Sequence, residues 1–151
     1  MQRFLVTPQT MAADSVVLNE ATSRQIAVVL RMRLGDTVIL CDGRGREALC
    51  RLEHLTPRQV TVRVEQRAVS TVEAALRLHL YPALIRAPRF ELILQKATEL
   101  GVDAITPVLC RRSVARSPAE AVPERWRNIV REAFEQSARG RLPDLAEPVS
   151  F

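Results

Sequence analysis

The stretch 91–116, ELILQKATELGVDAITPVLCRRSVAR, leaves the chain few ways to fold. Phe90, Ile93, Leu94, Ala97 and Leu100 recur on one helical face, with Pro88 near the first turn and Gly101 just past the end. An apolar strand over 104–109 follows the glycine and runs into Cys110, Arg111, Arg112 and Ser113. Helix, glycine, strand and charged exit make one crossover of an open α/β sheet. Ligands of such sheets sit outside the carboxyl ends of the strands, so the CRRS sequence is the first place to look for anion or nucleotide chemistry.

The flanks extend this unit. Leu76, Leu78 and Leu80 alternate with Arg77, His79 and Tyr81, which predicts a strand before the 86–101 helix and hence a right-handed parallel β-α-β. A second helix is expected over 123–138, burying Trp126, Ile129, Val130, Ala133, Phe134 and Ser137, with a third strand over 145–151. Upstream, residues 1–70 read as an all-β part with one inserted helix. The expected strands are 3–6, 37–41, 46–52 and 60–64, the helix spans 23–33, and Asp42-Gly43-Arg44-Gly45 forms a hairpin turn. Short strands at this spacing suggest a small barrel. Alternation fades over 66–75, which places a linker there and divides the chain into domains 1–70 and 71–151.

Composition then narrows the function. No run of about 18 apolar residues exists and the amino terminus lacks signal-peptide regions, so a cytoplasmic chain without membrane contact is expected. Cys41, Cys50 and Cys110, with His54 and His79, form no metal-ligand spacing and read as reduced packing residues. The net charge of +5 comes from 22 basic residues, of which Lys96 is the single lysine, against 17 acids. That balance suits a polyanionic partner, and the planar guanidinium both matches phosphate and stacks on bases. Aromatic residues make up only 4%, which argues against a binder built on stacked aromatic platforms.

Three constellations follow. Arg3, Arg31, Arg33, Arg44 and Arg46 lie at strand ends, a helix end and a turn, and form either one phosphate-facing patch or a solvated surface. On the 123–138 helix, Glu132, Glu135, Gln136 and Arg139 make a polar stripe. Its plainer reading is ion pairing between Arg131, Glu135 and Arg139 at i,i+4 spacing, worth about 0.2–0.5 kcal/mol per pair. Arg111, Arg112 and Ser113, at a strand's carboxyl end, form a ready phosphate or carboxylate site. No nucleophile-base pair is visible.

At these residues the chain resembles the bacterial 16S ribosomal RNA uridine-N3 methyltransferases, a branch of the trefoil-knotted, S-adenosylmethionine-dependent RNA methyltransferases. The resemblance covers nearly the whole chain. It is carried by Arg3-Phe4, VLRMRLGD at 29–36, DGRG at 42–45, QKATELGVDAITP at 95–107, RRSV at 111–114 and RWRNIVREAFEQSARGRLP at 125–143, in this order and spacing. It implies a PUA-like RNA-binding β-barrel followed by a partial parallel α/β domain of the SPOUT type. It also implies a homodimer, and transfer of a sulfonium methyl to uridine N3 once the N3 proton is removed.

Residue by residue, the resemblance gives Arg112, Glu135, Gln136 and Arg139 catalytic-site roles. Arg3, Arg31, Arg33, Arg44, Arg46, Arg86, Arg111 and Ser113 are expected to touch 16S rRNA in the small subunit. The chain departs from the family pattern in three places: Arg24-Gln25 replaces a His-His pair, Arg86 a lysine, and Arg111 an acid. Relatives continue past the equivalent of Phe151 into a GPEGG-type loop and a knotted segment that hold the cofactor. The expectation is therefore that these 151 residues alone bind RNA but are catalytically silent, with S-adenosylmethionine held elsewhere in the family's full length. The alternative is an RNA-binding or assembly module without catalysis.

Overall fold

Val60 and Val62 alternate with Thr61 and Arg63, and the backbone there is an extended strand with both valines fully buried. A computed structural model describes residues 1–73, 75–111 and 122–151, and the chain divides into two units, Met1–Thr71 and Val72–Phe151. The first unit is mostly β. Its strands are β1 (Arg3–Leu5), β2 (Ser15–Val17), β3 (Thr37–Cys41), β4 (Arg46–Leu55) and β5 (Val60–Val69). They form one sheet in the order β1-β3-β4-β5-β2, parallel between β1 and β3 and antiparallel elsewhere. Phe4, Ile26, Val38, Leu40, Leu52, Val60 and Val62 make its core. Each such side chain stabilises the fold by about 1.5–3 kcal/mol when fully buried.

Two expectations change here. β4 and β5 pair from Leu55↔Val60 out to Arg46↔Val69, so residues 66–69 of the expected linker belong to a strand. Burial could not announce that end, because residues 65–69 are exposed and backbone pairing alone carries it. The inserted helix also lies earlier than 23–33. α1 (Glu20–Arg24) starts at Asn19, whose side chain accepts the Thr22 N–H at 2.8 Å, and continues as a π-helical turn over Gln25–Val29. Ile26 is fully buried while Val29 is 70% exposed, so the two apolar residues do not share an inward face. Arg31 then closes the segment in the left-handed region, at φ 51°.

The second unit contains β6 (His79–Leu80), α2 (Ala87–Glu99), β7 (Ala104–Ile105), β8 (Val108–Leu109), α3 (Glu124–Gln136), β9 (Asp144–Leu145) and β10 (Val149–Ser150). β7 lies between β6 and β9, all parallel; β8 pairs with β10, and Ala83 bridges Val108, again in parallel. The expected strands 104–109 and 145–151 are thus each broken in two, and the one expected from Leu76 is reduced to His79–Leu80 with a further bridge at Ala83. The breaks fall at Pro82, Pro107 and Pro148, which the register places at one level across the sheet, and none of them has an N–H to offer its rung.

α2 buries Phe90, Leu94 and Ala97, and Phe90 tilts against Trp126 of α3 at 4.6 Å between ring centroids. Leu100, expected on the same face, is 83% exposed because it sits at the helix C-cap, where the chain turns at Gly101 with φ 95°. Leu76 and Leu78 are also exposed, since pairing begins only at His79. Among the described residues no helix is long and apolar enough to cross a membrane.

Candidate functional site

The parallel strands of the second unit have two ends, and the structure distributes the candidate residues between them. At the carboxyl end lie Arg111, exposed just beyond β8, and Arg86, exposed where the chain leaves the first strand for α2. Arg125, in the first turn of α3, donates two hydrogen bonds to Glu91, at 2.5 and 2.7 Å, and holds that carboxyl below its usual range. Arg112 and Ser113 fall outside the described residues.

At the amino end lies Arg139, only 5% exposed. One terminal nitrogen donates to the carbonyl oxygens of Val102 (2.6 Å) and Thr98 (3.3 Å), and the other to Glu73 Oε2 at 2.7 Å. Glu73 Oε1 accepts the backbone N–H groups of Gly140 and Arg141, both at 2.8 Å. Burial alone would raise the Glu73 carboxyl, but the Arg139 guanidinium and those two N–H groups hold it below its ordinary value. This cluster fastens the end of α2, the start of β7 and the chain leaving α3 to the segment before β6.

Glu135, in the last turn of α3, is also largely buried and accepts Arg131 Nε at 3.1 Å, while Gln136 is exposed. Arg139 thus sits at the amino end of the parallel strands and Arg111 just beyond the carboxyl end of β8. Of the strand exit and the polar stripe, the described residues set Arg111 and Arg139 at opposite ends of the strands, and Arg112 and Ser113 lie outside the described residues.

The basic set of the first unit divides in the same way. Arg31 and Arg33, both exposed, precede β3, whereas Arg44 and Arg46 follow it, at the other end of a strand that spans roughly 13 Å at about 3.3 Å per residue. Arg3 faces inward: its side chain is 10% exposed and donates to Glu47 at 2.6 Å. Asp42 organises the β3–β4 turn, its carboxylate accepting the N–H groups of Arg44 (2.8 Å) and Arg46 (3.0 Å) and the Arg46 Nε (2.8 Å). Burial acts to raise this carboxyl and those hydrogen bonds outweigh it, leaving it below its ordinary value.

Next to that turn is a cavity of about 390 Å³ that borders Arg46 and Arg67. Arg67 and Glu73 were not among the expected site residues. Both fall in the 66–75 stretch, where neither periodicity nor a motif marks them. Burial pushes the Cys50 thiol up to about 11, as suits a packing residue. Among the described residues no group of three or more His, Cys, Asp or Glu side chains could hold a metal ion.

Comparison with known proteins joins the two units. Residues 72–151 match the RNA methyltransferase domain, more than half of the chain, and residues 19–65 match the RNA methyltransferase PUA domain. The chain belongs to the RNA methyltransferase family. Ribosomal RNA small subunit methyltransferase E of Bacillus subtilis is 32% identical over 157 residues, covering 100% of this chain and 61% of the relative. Its namesake in Synechocystis is 36% identical over 152 residues, covering 99% of this chain and 48% of the relative. The Neisseria gonorrhoeae enzyme of the same name, whose crystal structure is bound to S-adenosyl methionine, superposes with a TM-score of 0.90 at 29% identity. That superposition covers 99% of this chain and 62% of the Neisseria one. The chain spans about half to three-fifths of the length of the curated relatives it matches.

Proposed function

We propose that this chain serves S-adenosylmethionine-dependent methylation of uridine N3 in the 16S RNA of the small ribosomal subunit, a cytoplasmic reaction. The first unit grips rRNA as a PUA-like barrel, and the second forms part of a knotted, SPOUT-type catalytic domain that works as a homodimer. One observation carries the reading: the likeness to the small-subunit methyltransferases runs unbroken through both units and reaches a parallel sheet whose carboxyl end presents Arg86 and Arg111. Ligands of parallel sheets sit at that end.

The residue roles follow from the two ends. Arg86, Arg111 and Ser113 contact RNA, and Arg112 stabilises the substrate near the reacting base. Arg31, Arg33, Arg44 and Arg46 contact the rRNA backbone. Arg3, tied to Glu47, orients β1 against β4. Arg139 acts as a positioning residue that fixes the amino end of the sheet, since it gives its donors to Glu73 and backbone carbonyls, and Glu135 and Gln136 stand near it in the last turn of α3.

The concave surface on α3, lined by Glu124, Arg125, Asn128, Ile129 and Glu132, has one apolar wall, Ile129, against charged and amide groups. It does not fit the adenosyl group of the methyl donor. A second reading is an RNA-binding or assembly module without catalysis, since residues 19–65 match the RNA methyltransferase PUA domain by themselves.

The test incubates the protein with small subunits lacking the modification and isotope-labelled S-adenosylmethionine, then digests the rRNA and reads nucleosides by mass spectrometry. The 151 residues alone are expected to bind the RNA and leave its uridines unlabelled, whereas the same chain extended to the length of its relatives is expected to yield labelled N3-methyluridine. Salt-sensitive RNA binding by the extended chain without any methylated uridine would overturn the catalytic reading and favour the module.

A further inference from the structure

We propose that the cavity beside β4 and β5 holds one unstacked nucleobase of single-stranded RNA, with Arg46 and Arg67 on its flanking phosphates. The proposal rests on the reading that the first unit grips RNA, and names the subsite that does so. The cavity, about 390 Å³, lies between the loop carrying Pro8 and Met11 and the outer end of the β4–β5 ladder, where Ala68 and Val69 stand. Pro8, Met11 and Val69 give it an apolar wall, and Met11 is packed to 6% exposure. A wall of this kind accepts the π face of any base, which is how single strands are held without sequence readout.

Charge selects the occupant. Glu47 also borders the cavity, but Arg3 pairs with it at 2.6 Å. Arg46 gives its Nε to Asp42, and its two terminal nitrogens make no hydrogen bond among the described residues. Arg67 is fastened through Nη2 alone, to the carbonyl oxygens of Ala12 (3.3 Å) and Ala13 (3.0 Å) and to Asp14 (2.9 Å). Nε and Nη1 of that guanidinium make no hydrogen bond among the described residues. Both arginines are therefore held through one nitrogen with donors to spare, so little side-chain freedom remains to be lost when a phosphate arrives. An apolar slot rimmed by two such guanidinium groups matches a base with a phosphate on each side. An apolar peptide side chain would leave both arginines unused.

The experiment uses the whole chain and a short fluorescent single-stranded RNA, with abasic substitutions walked along it, read by anisotropy. Removing the right base is expected to weaken binding roughly tenfold, the lower part of the range for one stacked base. Ala68 is exposed, so Ala68→Trp can fill the cavity without loss of charge or core. This variant should bind intact RNA roughly tenfold more weakly and become indifferent to the abasic position. Arg46→Gln should lower the slope of log affinity against log salt by about one.

An abasic walk with no sensitive position, or A68W binding intact RNA as wild type does, would overturn the subsite while leaving RNA binding by the unit in place. Failure of the wild-type chain to bind RNA at all would overturn both. Nuclear magnetic resonance of the Met11 methyl offers a check independent of affinity, since only an occupied cavity shifts it.

Discussion

The two units spend the same residue type in different ways. In the first, apart from Arg3, arginines pair in the open: Arg51 with Glu65, Arg63 with Glu53 and Arg67 with Asp14, with side chains 46–65% exposed on the arginine side, as Arg125 does with Glu91 in the second. In the second, Arg139 is drawn inside and satisfied by a carboxylate and two carbonyl oxygens. Net charge cannot distinguish these uses. Exposed pairs contribute about 0–1 kcal/mol, whereas removing one partner of a buried pair costs about 3–5 kcal/mol. The arginines free to meet a polyanion are thus those the fold leaves uncommitted, and a count of basic residues overstates them.

The sharpest way to break this comparison is Glu73→Ala, which strands the Arg139 guanidinium and two backbone N–H groups. It should destabilise the second unit by about 3–5 kcal/mol in urea unfolding. A loss under about 1 kcal/mol would place Arg139 with the surface arginines. Acid comes next. The Glu73 carboxyl is lower in the folded chain than its reference value of 4.5, so its stabilisation is complete above that value and is lost as pH falls through the lower, folded one. Glu73→Gln should flatten the stability profile of the second unit below pH 4.5 and leave that of the first unchanged.

A smaller effect of opposite sign is expected at Ala138, which follows α3 in the left-handed region at φ 57°. Glycine carries no Cβ penalty there, so Ala138→Gly should stabilise by about 1 kcal/mol, seen as a raised urea midpoint. The smallest effect belongs to the first unit: Glu53→Ala removes the exposed partner of Arg63 and should change stability by less than about 1 kcal/mol. A larger change would show that the first unit, too, depends on its ion pairs.

Where burial alternates, the sequence was readable almost to the residue. β3 occupies 37–41 as expected, because Val38 and Leu40 point into the core while Thr37 and Ile39 are only part-buried. The family was readable from ordered motifs. Harder to read were features that depend on pairing or on long range. The outer ends of β4 and β5 have no buried face to announce them, and the π-helical turn keeps helical composition while changing which residues turn inward.

The site suffered most from this limit. The spacing of Glu135, Gln136 and Arg139 correctly groups them in and just beyond one helical turn. No local pattern says that this turn ends at the opposite end of the sheet from Arg111, or that a carboxylate 66 residues upstream in a featureless stretch completes the cluster.

The row formed by Pro82, Pro107 and Pro148 has a consequence for motion. Each proline removes one N–H from the ladder, while the carbonyl oxygens of Pro82 and Pro107 still accept the N–H groups of Val108 (2.8 Å) and Val149 (2.9 Å). The sheet is thus thinned by one donor per proline between the end held by Glu73 and Arg139 and the end bearing Arg111. Amide exchange is therefore expected to be faster at the Arg111 end than at the end fastened by Glu73 and Arg139.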